Sequence, residues 1–241
     1  MKTPQNEVLY ESIDAIEEEE VKNEVIRYME ENPGLVDLLT RDLSDSVAHG
    51  IVVSKLATMV AKNLNASPEY AYRMSIAGFL HDIGKLMISD FLYGRESGTL
   101  RIEEVKYIRM HSKLGFEILK KNNYDDIITE SVLHHHENYD GSGYPDNLKG
   151  LNIPFGARIL RVCDVFSALI SDRPYRGAYS CEEAMQLLIS EVKNFDMRCF
   201  LALQRAVNSP DFAYVKDLVN EQNKNFLRTK RLRSELNLDL W

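Results

Sequence analysis

Apolar residues recur along this chain at helical rather than strand spacing. Over residues 7–31, Val8, Ile13, Ile16, Val21, Val25, Ile26 and Met29 form an approximate stripe, which predicts an acidic amphipathic helix ended by Asn32-Pro33-Gly34. A second helix is predicted over 42–65, with Val47, Ile51, Val52, Leu56, Met59, Val60 and Leu64 on its apolar face. Ser67-Pro68 opens a third, with serine as N-cap and proline at the first helical position. That helix carries Ala71, Met74, Ile76, Phe79 and Leu80 up to His81-Asp82. Gly84 follows, and a loop is expected through Gly94 and Gly98. Helices are predicted over 103–119 and 126–136, a Gly/Pro-rich loop over 138–156, and an apolar, buried helix over 157–170. Ser180-Cys181-Glu182-Glu183 reads as a capping box that starts another helix, and one or two more fill 197–238. No stretch of strand length alternates with period two, and no internal repeat appears. The chain is expected to be nearly all α.

Composition narrows the class. At 241 residues and 44% apolar, the chain has ample material for a core. No run approaches the roughly 18–20 apolar residues of a membrane-spanning helix. The first residues lack the apolar segment of a secretory signal. Cys163, Cys181 and Cys199 are odd in number and show no CxxC spacing, so they read as reduced thiols of a cytoplasmic protein. Cys163 adjoins Asp164, but a small buried residue is the better reading than a ligand. The net charge of −8 is uneven: residues 1–45 hold 13 acidic and 4 basic side chains, the remainder 24 and 25. A balanced body argues against a general nucleic-acid binder, which needs a basic face. The small basic cluster Arg228-Thr229-Lys230-Arg231-Leu232-Arg233 reads as a solvated helix face, with a membrane-surface or partner contact as the alternative.

The chemistry concentrates where the helical pattern breaks. His134-His135-His136-Glu137 runs into the turn-rich Asn138-Tyr139-Asp140-Gly141-Ser142-Gly143-Tyr144-Pro145. Imidazole nitrogens suit first-row transition metals. Further donors lie along the chain: His81-Asp82, His111, Asp164, and His49 with Asp45 one turn earlier on the same face. Near a helix end His81 and Asp82 can flank two ions, with the carboxylate bridging. Lys85, one turn beyond His81, can point to the same centre. Asp164 sits among Ile159, Leu160, Val162, Val165 and Phe166, where a carboxylate is costly unless compensated, and a cation is the natural compensation.

These residues resemble the HD superfamily of metal-dependent phosphohydrolases, and in particular its HD-GYP subgroup. The motifs are Leu80-His81-Asp82-Ile83-Gly84-Lys85, His111, His135-His136-Glu137, Asp140-Gly141-Ser142-Gly143-Tyr144-Pro145, Ile153-Pro154, Ala157-Arg158-Ile159-Leu160, Asp164-Val165-Phe166 and Arg173-Pro174-Tyr175-Arg176. The resemblance covers roughly 45–200 and implies an all-α HD-superfamily bundle. The expected organisation is an acidic helical extension over 1–40, an HD-GYP catalytic domain over 41–205 and a helical C-terminal extension over 206–241. The implied activity is hydrolysis of cyclic di-GMP to pGpG, and onward to GMP, by metal-activated hydroxide. His49, His81, Asp82, His111, His135, His136 and Asp164 fall on metal-ligand positions. Asp45 falls where three-metal members place a carboxylate, usually the longer Glu. The implied cofactors are two or three divalent transition-metal ions, iron or manganese. Lys85 falls on a position that contacts the scissile phosphate, with Asp82 as its catalytic partner. Gly143, Tyr144 and Pro145 shape the substrate side, and Arg173 and Arg176 fall on nucleotide contacts.

Other readings stay open. Arg173 and Arg176 could cap a helix or pair with acids, Tyr144 could be only a loop anchor, and Lys85 a plain surface lysine. His134 is expected behind the ligands or at the surface, and Glu137 to orient a histidine or hold the loop. Ser89 and Ser112 stand where prolines are frequent in the family, and Arg95 near where a lysine is. The alternatives to a cyclic di-GMP phosphodiesterase are a module that docks a diguanylate cyclase domain, and a hydrolase of mononucleotides or of the mixed cyclic GMP–AMP dinucleotide. A homodimer through the N-terminal segment is a further partner reading.

Overall fold

The computed structural model describes residues 33–88, 108–173 and 176–235, with the side chains of 33–45, 229–230 and 232–235 excepted. The extension expected over 1–40, with its helix over 7–31, therefore lies almost wholly outside the described residues, as does the loop through Gly94 and Gly98.

Eight α-helices are described: α1 (Pro33–Asn63), α2 (Pro68–Leu80), α3 (His111–Lys121), α4 (Asp126–Leu133), α5 (Phe155–Ile170), α6 (Cys181–Ser190), α7 (Met197–Val207) and α8 (Phe212–Glu235). Short 3-10 turns span Ile83–Ile88, Gly150–Asn152 and Val192–Asn194. Among the described residues there is no strand, only an isolated bridge between Arg173 and Arg176.

Most starts are where side-chain capping predicts them. Ser67 Oγ accepts the Tyr70 N–H at 3.2 Å with Pro68 in the first turn. Ser180 and Glu183 close the capping box reciprocally. Asp125 and Asp196 cap α4 and α7 through the N–H groups of Ile127 and Arg198. Three boundaries differ from expectation. α1 begins at Pro33 rather than near 42, because proline is barred from a helix interior but suits the first turn, so the same Pro33 ends one segment or starts the next. α4 stops at Leu133, and His134–His136 form a turn beyond it. A 3-10 turn, not a plain loop, follows Asp82.

α1 is the axis of the bundle and packs on α2, α5, α7 and α8. Val52, Val53, Leu56, Ala57, Val60 and Ala61 are its buried face. Val47, placed on that face by its spacing, is 42% exposed, as the stripe reaches the core only from Val52 onward. α5 is buried on nearly every side, consistent with its unbroken apolar character. Cys163 and Cys199 are buried free thiols, and Cys181 is half-buried. No helix among the described residues is long and apolar enough to cross a membrane.

Two close approaches position the site. A Cβ at Gly78 would lie 2.8 Å from Ser54 Cα, and one at Gly50 would lie 2.7 Å from the Phe79 carbonyl oxygen. α1 and α2 therefore touch backbone to backbone, and His49 and His81 come to 5.3 Å between ring centroids. A Cβ at Gly84 would overlap the His111 carbonyl oxygen at 1.9 Å. The 3-10 turn thus rests on the start of α3, which sets Asp82 against His111.

α8 locks the far end of α5. Asn223 Oδ1 accepts the Asp172 N–H at 2.8 Å and its Nδ2 donates to the Ile170 carbonyl at 3.4 Å. Ser171 Oγ bonds Gln222 Oε1 at 3.3 Å. At the other end Arg158 Nη1 pairs with Asp196 Oδ2 at 2.6 Å, both side chains being buried.

Candidate metal centre

Two clusters of donors meet at the junction of α1, α2, α5 and the starts of the loops. One comprises Asp82, His111, His135 and His136; the other His49, His81 and Asp164. The fold brings together every side chain that the sequence marks as a ligand and that lies among the described residues. Asp45 stands on α1 one turn before His49, but its side chain lies outside them.

Helix ends aim the histidines. The last four carbonyls of a helix lack intrahelical partners. His81, just past α2, donates Nδ1 to the Gly78 carbonyl at 2.8 Å. His135, just past α4, donates Nδ1 to Val132 at 2.6 Å. His111 does the same to Ile108 at 2.7 Å, across the turn at Met110. A carbonyl only accepts, so each Nδ1 carries the proton, and each Nε2 turns inward with its lone pair free. His49 Nδ1 is held at 3.2 Å by Ser167 Oγ. Its Nε2 faces Asp164 Oδ1 at 3.2 Å.

The inner atoms crowd without partners of the right kind. His111 Nε2 lies 3.3 Å from His135 Nε2 and 3.1 Å from His136 Nε2. His81 Nε2 is buried and has no hydrogen-bond partner. Asp82 reaches both clusters: Oδ1 is 3.4 Å from His111 Nε2 and 4.0 Å from His135 Nε2, while Oδ2 is 3.3 Å from His81 Nε2. Asp164 Oδ1 lies 3.6 Å from His81 Nε2. This set fits divalent transition-metal ions: imidazole nitrogens with free lone pairs, two carboxylates, and one carboxylate able to bridge.

The electrostatics agree. Burial disfavours the Asp82 and Asp164 carboxylates, yet Lys85 and His81 beside Asp82, and His49 and His81 beside Asp164, hold both well below the usual range. Burial drives the pKa of His135 far down and that of His136 down to about 3. Burial also opposes charge on His81, but Asp82 and Asp164 overcome it and push its pKa up to about 10.

Of the residues that the resemblance assigns to the substrate side, Lys85 and Tyr144 border this centre. Lys85 Nζ contacts Asp82 Oδ2 at 2.6 Å, with its side chain 45% exposed. A Cβ at Gly143 would lie 2.2 Å from Asn138 N and 2.5 Å from Glu137 Cα, so glycine is needed for the loop to fold back on the histidine turn. Tyr144 then stacks on His136 at 4.7 Å, with the Arg109 guanidinium over its ring at 4.9 Å. The Tyr144–Pro145 peptide is cis. Glu137 holds the loop, accepting the N–H groups of Asp146 and Leu148 at 2.7 and 3.1 Å. His134 is buried behind the ligands, near Glu130, Glu137 and Asp146. Arg173 lies near Lys85. Arg176 donates to the Ala168 and Leu169 carbonyls at 2.9 and 3.1 Å, closing the end of α5.

Sequence reasoning missed Ser167, Asn138, Arg109 and Arg161. Ser167 is one turn beyond Asp164 on α5, a spacing that could have marked it. Arg161, one turn before Asp164, could have been found in the same way.

A model described as HD domain matches residues 27–199. The chain is 40% identical over 156 residues to "Cyclic di-GMP phosphodiesterase response regulator RpfG" of Xanthomonas campestris pv. campestris, covering 64% of this chain and 41% of that one. It is 35% identical over 144 residues to "3'3'-cGAMP-specific phosphodiesterase 1" of Vibrio cholerae, covering 60% and 33%. The chain thus spans less than half the length of these curated relatives. Among solved structures, the HDG"Y"P protein Bd1817 from Bdellovibrio bacteriovorus shares the fold, with TM-score 0.56 and 20% identity over 68% of this chain and 53% of that one. The chain belongs to the HD domain family and carries the motifs of its HD-GYP subgroup.

Proposed function

We propose that this chain hydrolyses a phosphodiester bond of a cyclic dinucleotide, cyclic di-GMP first, yielding pGpG and then GMP, with iron or manganese as its metal. The observation that carries this reading is the inward-facing Nε2 set of His81, His111 and His135, each fixed by an Nδ1 bond, around a shared Asp82. His49, His81 and Asp164 would hold one ion and His111, His135 and His136 another, with Asp82 between them and Asp45 available for a third. Bound ions of this kind supply water activation and Lewis acidity toward phosphoryl oxygens.

The chain's own groups do the rest. Lys85, paired with Asp82 yet open to solvent, supplies an ammonium to the scissile phosphate as negative charge builds there. Tyr144, braced by His136 and Arg109, offers an aromatic face at the mouth. Arg173, near Lys85, suits a phosphate or guanine contact. Arg176 keeps the Arg173 turn in place through the end of α5. Gly143 packs inward and Tyr144 stacks on a histidine, which supports a substrate role for this loop over a docking role toward a diguanylate cyclase.

The test is anaerobic purification, elemental analysis and chromatography of products from cyclic di-GMP and from the mixed cyclic GMP–AMP dinucleotide. Metal-loaded protein that makes pGpG or GMP is the expected result. Cleavage of the mixed dinucleotide alone would move the substrate assignment. Failure to take up iron or manganese would sink the metal reading.

A further inference from the structure

α5 carries a cation that neither the ligand set nor the motifs account for. Arg161 lies one turn before Asp164, on the same helical face. Arg158, one turn earlier still, shows the ordinary solution for a buried guanidinium: Nη1 pairs with Asp196 at 2.6 Å. Arg161 has no such partner. Among the described residues no carboxylate lies within ion-pair distance of it, and its one side-chain bond is Nε to Asn138 Oδ1 at 3.0 Å. Asn138 is itself anchored through Nδ2 to Ser142 Oγ at 2.9 Å. The guanidinium is thus held from its Nε side, with both Nη groups uncommitted.

Its surroundings belong to the site. Burial lowers the Arg161 pKa, and the nearby Asp164 carboxylate opposes that shift. Arg161 acts in turn on His136. Lys85 instead neighbours Asp82, Asp164 and Arg173. The centre therefore has cations on two sides, Lys85 with Arg173 on one and Arg161 on the other.

A cyclic dinucleotide carries two phosphodiesters, and hydrolysis engages one. We propose that Arg161 binds the phosphodiester that is not being cleaved, donating from Nη1 and Nη2 while Asn138 fixes the plane of the guanidinium. A planar fork matches two phosphate oxygens, and desolvation strengthens the bond. Arg161 is in this sense a residue that selects a two-phosphate substrate over a simple diester. The inference rests on the phosphodiesterase reading above.

The test uses Arg161→Gln and Arg161→Lys in the full chain. Metal per chain and thermal unfolding are measured first, then KM for cyclic di-GMP and kcat/KM for bis(p-nitrophenyl) phosphate, which has a single diester. Loss of a charge-assisted bond should raise KM for cyclic di-GMP about tenfold or more in the Gln variant. The Lys variant should show a smaller rise. Metal content should hold, and the effect on bis(p-nitrophenyl) phosphate should be much smaller. Unchanged KM in the Gln variant overturns the proposal. A parallel loss on both substrates also overturns it, because Arg161 would then only support the loop through Asn138. If the metal-loaded wild type cleaves neither substrate, the phosphodiesterase reading itself fails, and this inference with it.

Discussion

His111 and His135 face each other through their Nε2 atoms at 3.3 Å, each with its Nδ1 already donating to a carbonyl three residues back. Two free lone pairs at that separation repel unless a cation lies between them. The metal-loaded protein should therefore be the more stable form. At metal a thousandfold above Kd, linkage gives about 4 kcal/mol. Stripping with a chelator should lower Tm, and iron or manganese should restore it. A Tm indifferent to both would mean that the nitrogens do not meet at an ion.

Asp82 is the one carboxylate that reaches both clusters. Asp82→Asn keeps its shape and removes its charge. It should cost metal in both clusters and abolish hydrolysis, whereas His136→Ala should deplete only the cluster it belongs to. Elemental analysis of the two variants decides this, and full metal content in Asp82→Asn would contradict a bridging role.

Ser167 orients His49 by a buried contact. Ser167→Ala should weaken metal retention at the His49–His81–Asp164 cluster by about 10–100-fold, as losses of such supporting bonds do. A chelator competition curve should lose its tighter step for one cluster only. Equal weakening of both would show that the bond acts on the whole bundle.

Gly143 meets backbone atoms where any side chain would begin. Gly143→Ala should displace the loop and unstack Tyr144 from His136, with an overpacking cost of about 1–3 kcal/mol. KM for the dinucleotide should rise while metal content is retained. Unaltered kinetics would remove the loop from the substrate side.

Asp196 gives the pH dependence a defined limb. Burial opposes its charge, but the Arg198 N–H and the Arg198 and Arg158 guanidiniums hold its pKa below the ordinary value. Its stabilisation is then complete above the unfolded carboxylate pKa of about 3.9 and is lost as pH falls through the lower folded value. Asp196→Asn preserves the helix cap but leaves Arg158 unpaired, at a cost of about 3–5 kcal/mol at neutral pH. Its Tm should change less with acidification below that range than the wild type's, and parallel Tm curves would refute the assignment.

Much of this site was legible because its residues violate a rule. Asp164 in an apolar helix and histidines at helix ends make no sense as ordinary core or surface, so their types and places pointed to a shared cation. The bundle was legible from helical spacing and from the caps at Ser67 and Ser180. What stayed hidden was long-range or ambiguous. Ser167 meets His49 at a separation of 118 residues, and nothing local marks that pairing. Arg161 looks like one more charge on a helix until the fold surrounds it. Pro33 is compatible with a helix end and a helix start alike. Arg176, whose type and place suit a nucleotide contact or a cap alike, bonds the end of α5 with its guanidinium.

For His81 and His135, the bond to the carbonyl three residues behind makes helix termination and ligand presentation a single event. Deleting one of these rings is a double lesion: a nitrogen ligand disappears and a backbone oxygen loses its proton. An amide side chain such as asparagine could keep the second task while surrendering the first. A descendant of this chain that gave up catalysis but kept its shape should carry such donors at these positions, so that the outline of the ion would outlast the ion as a set of helix caps.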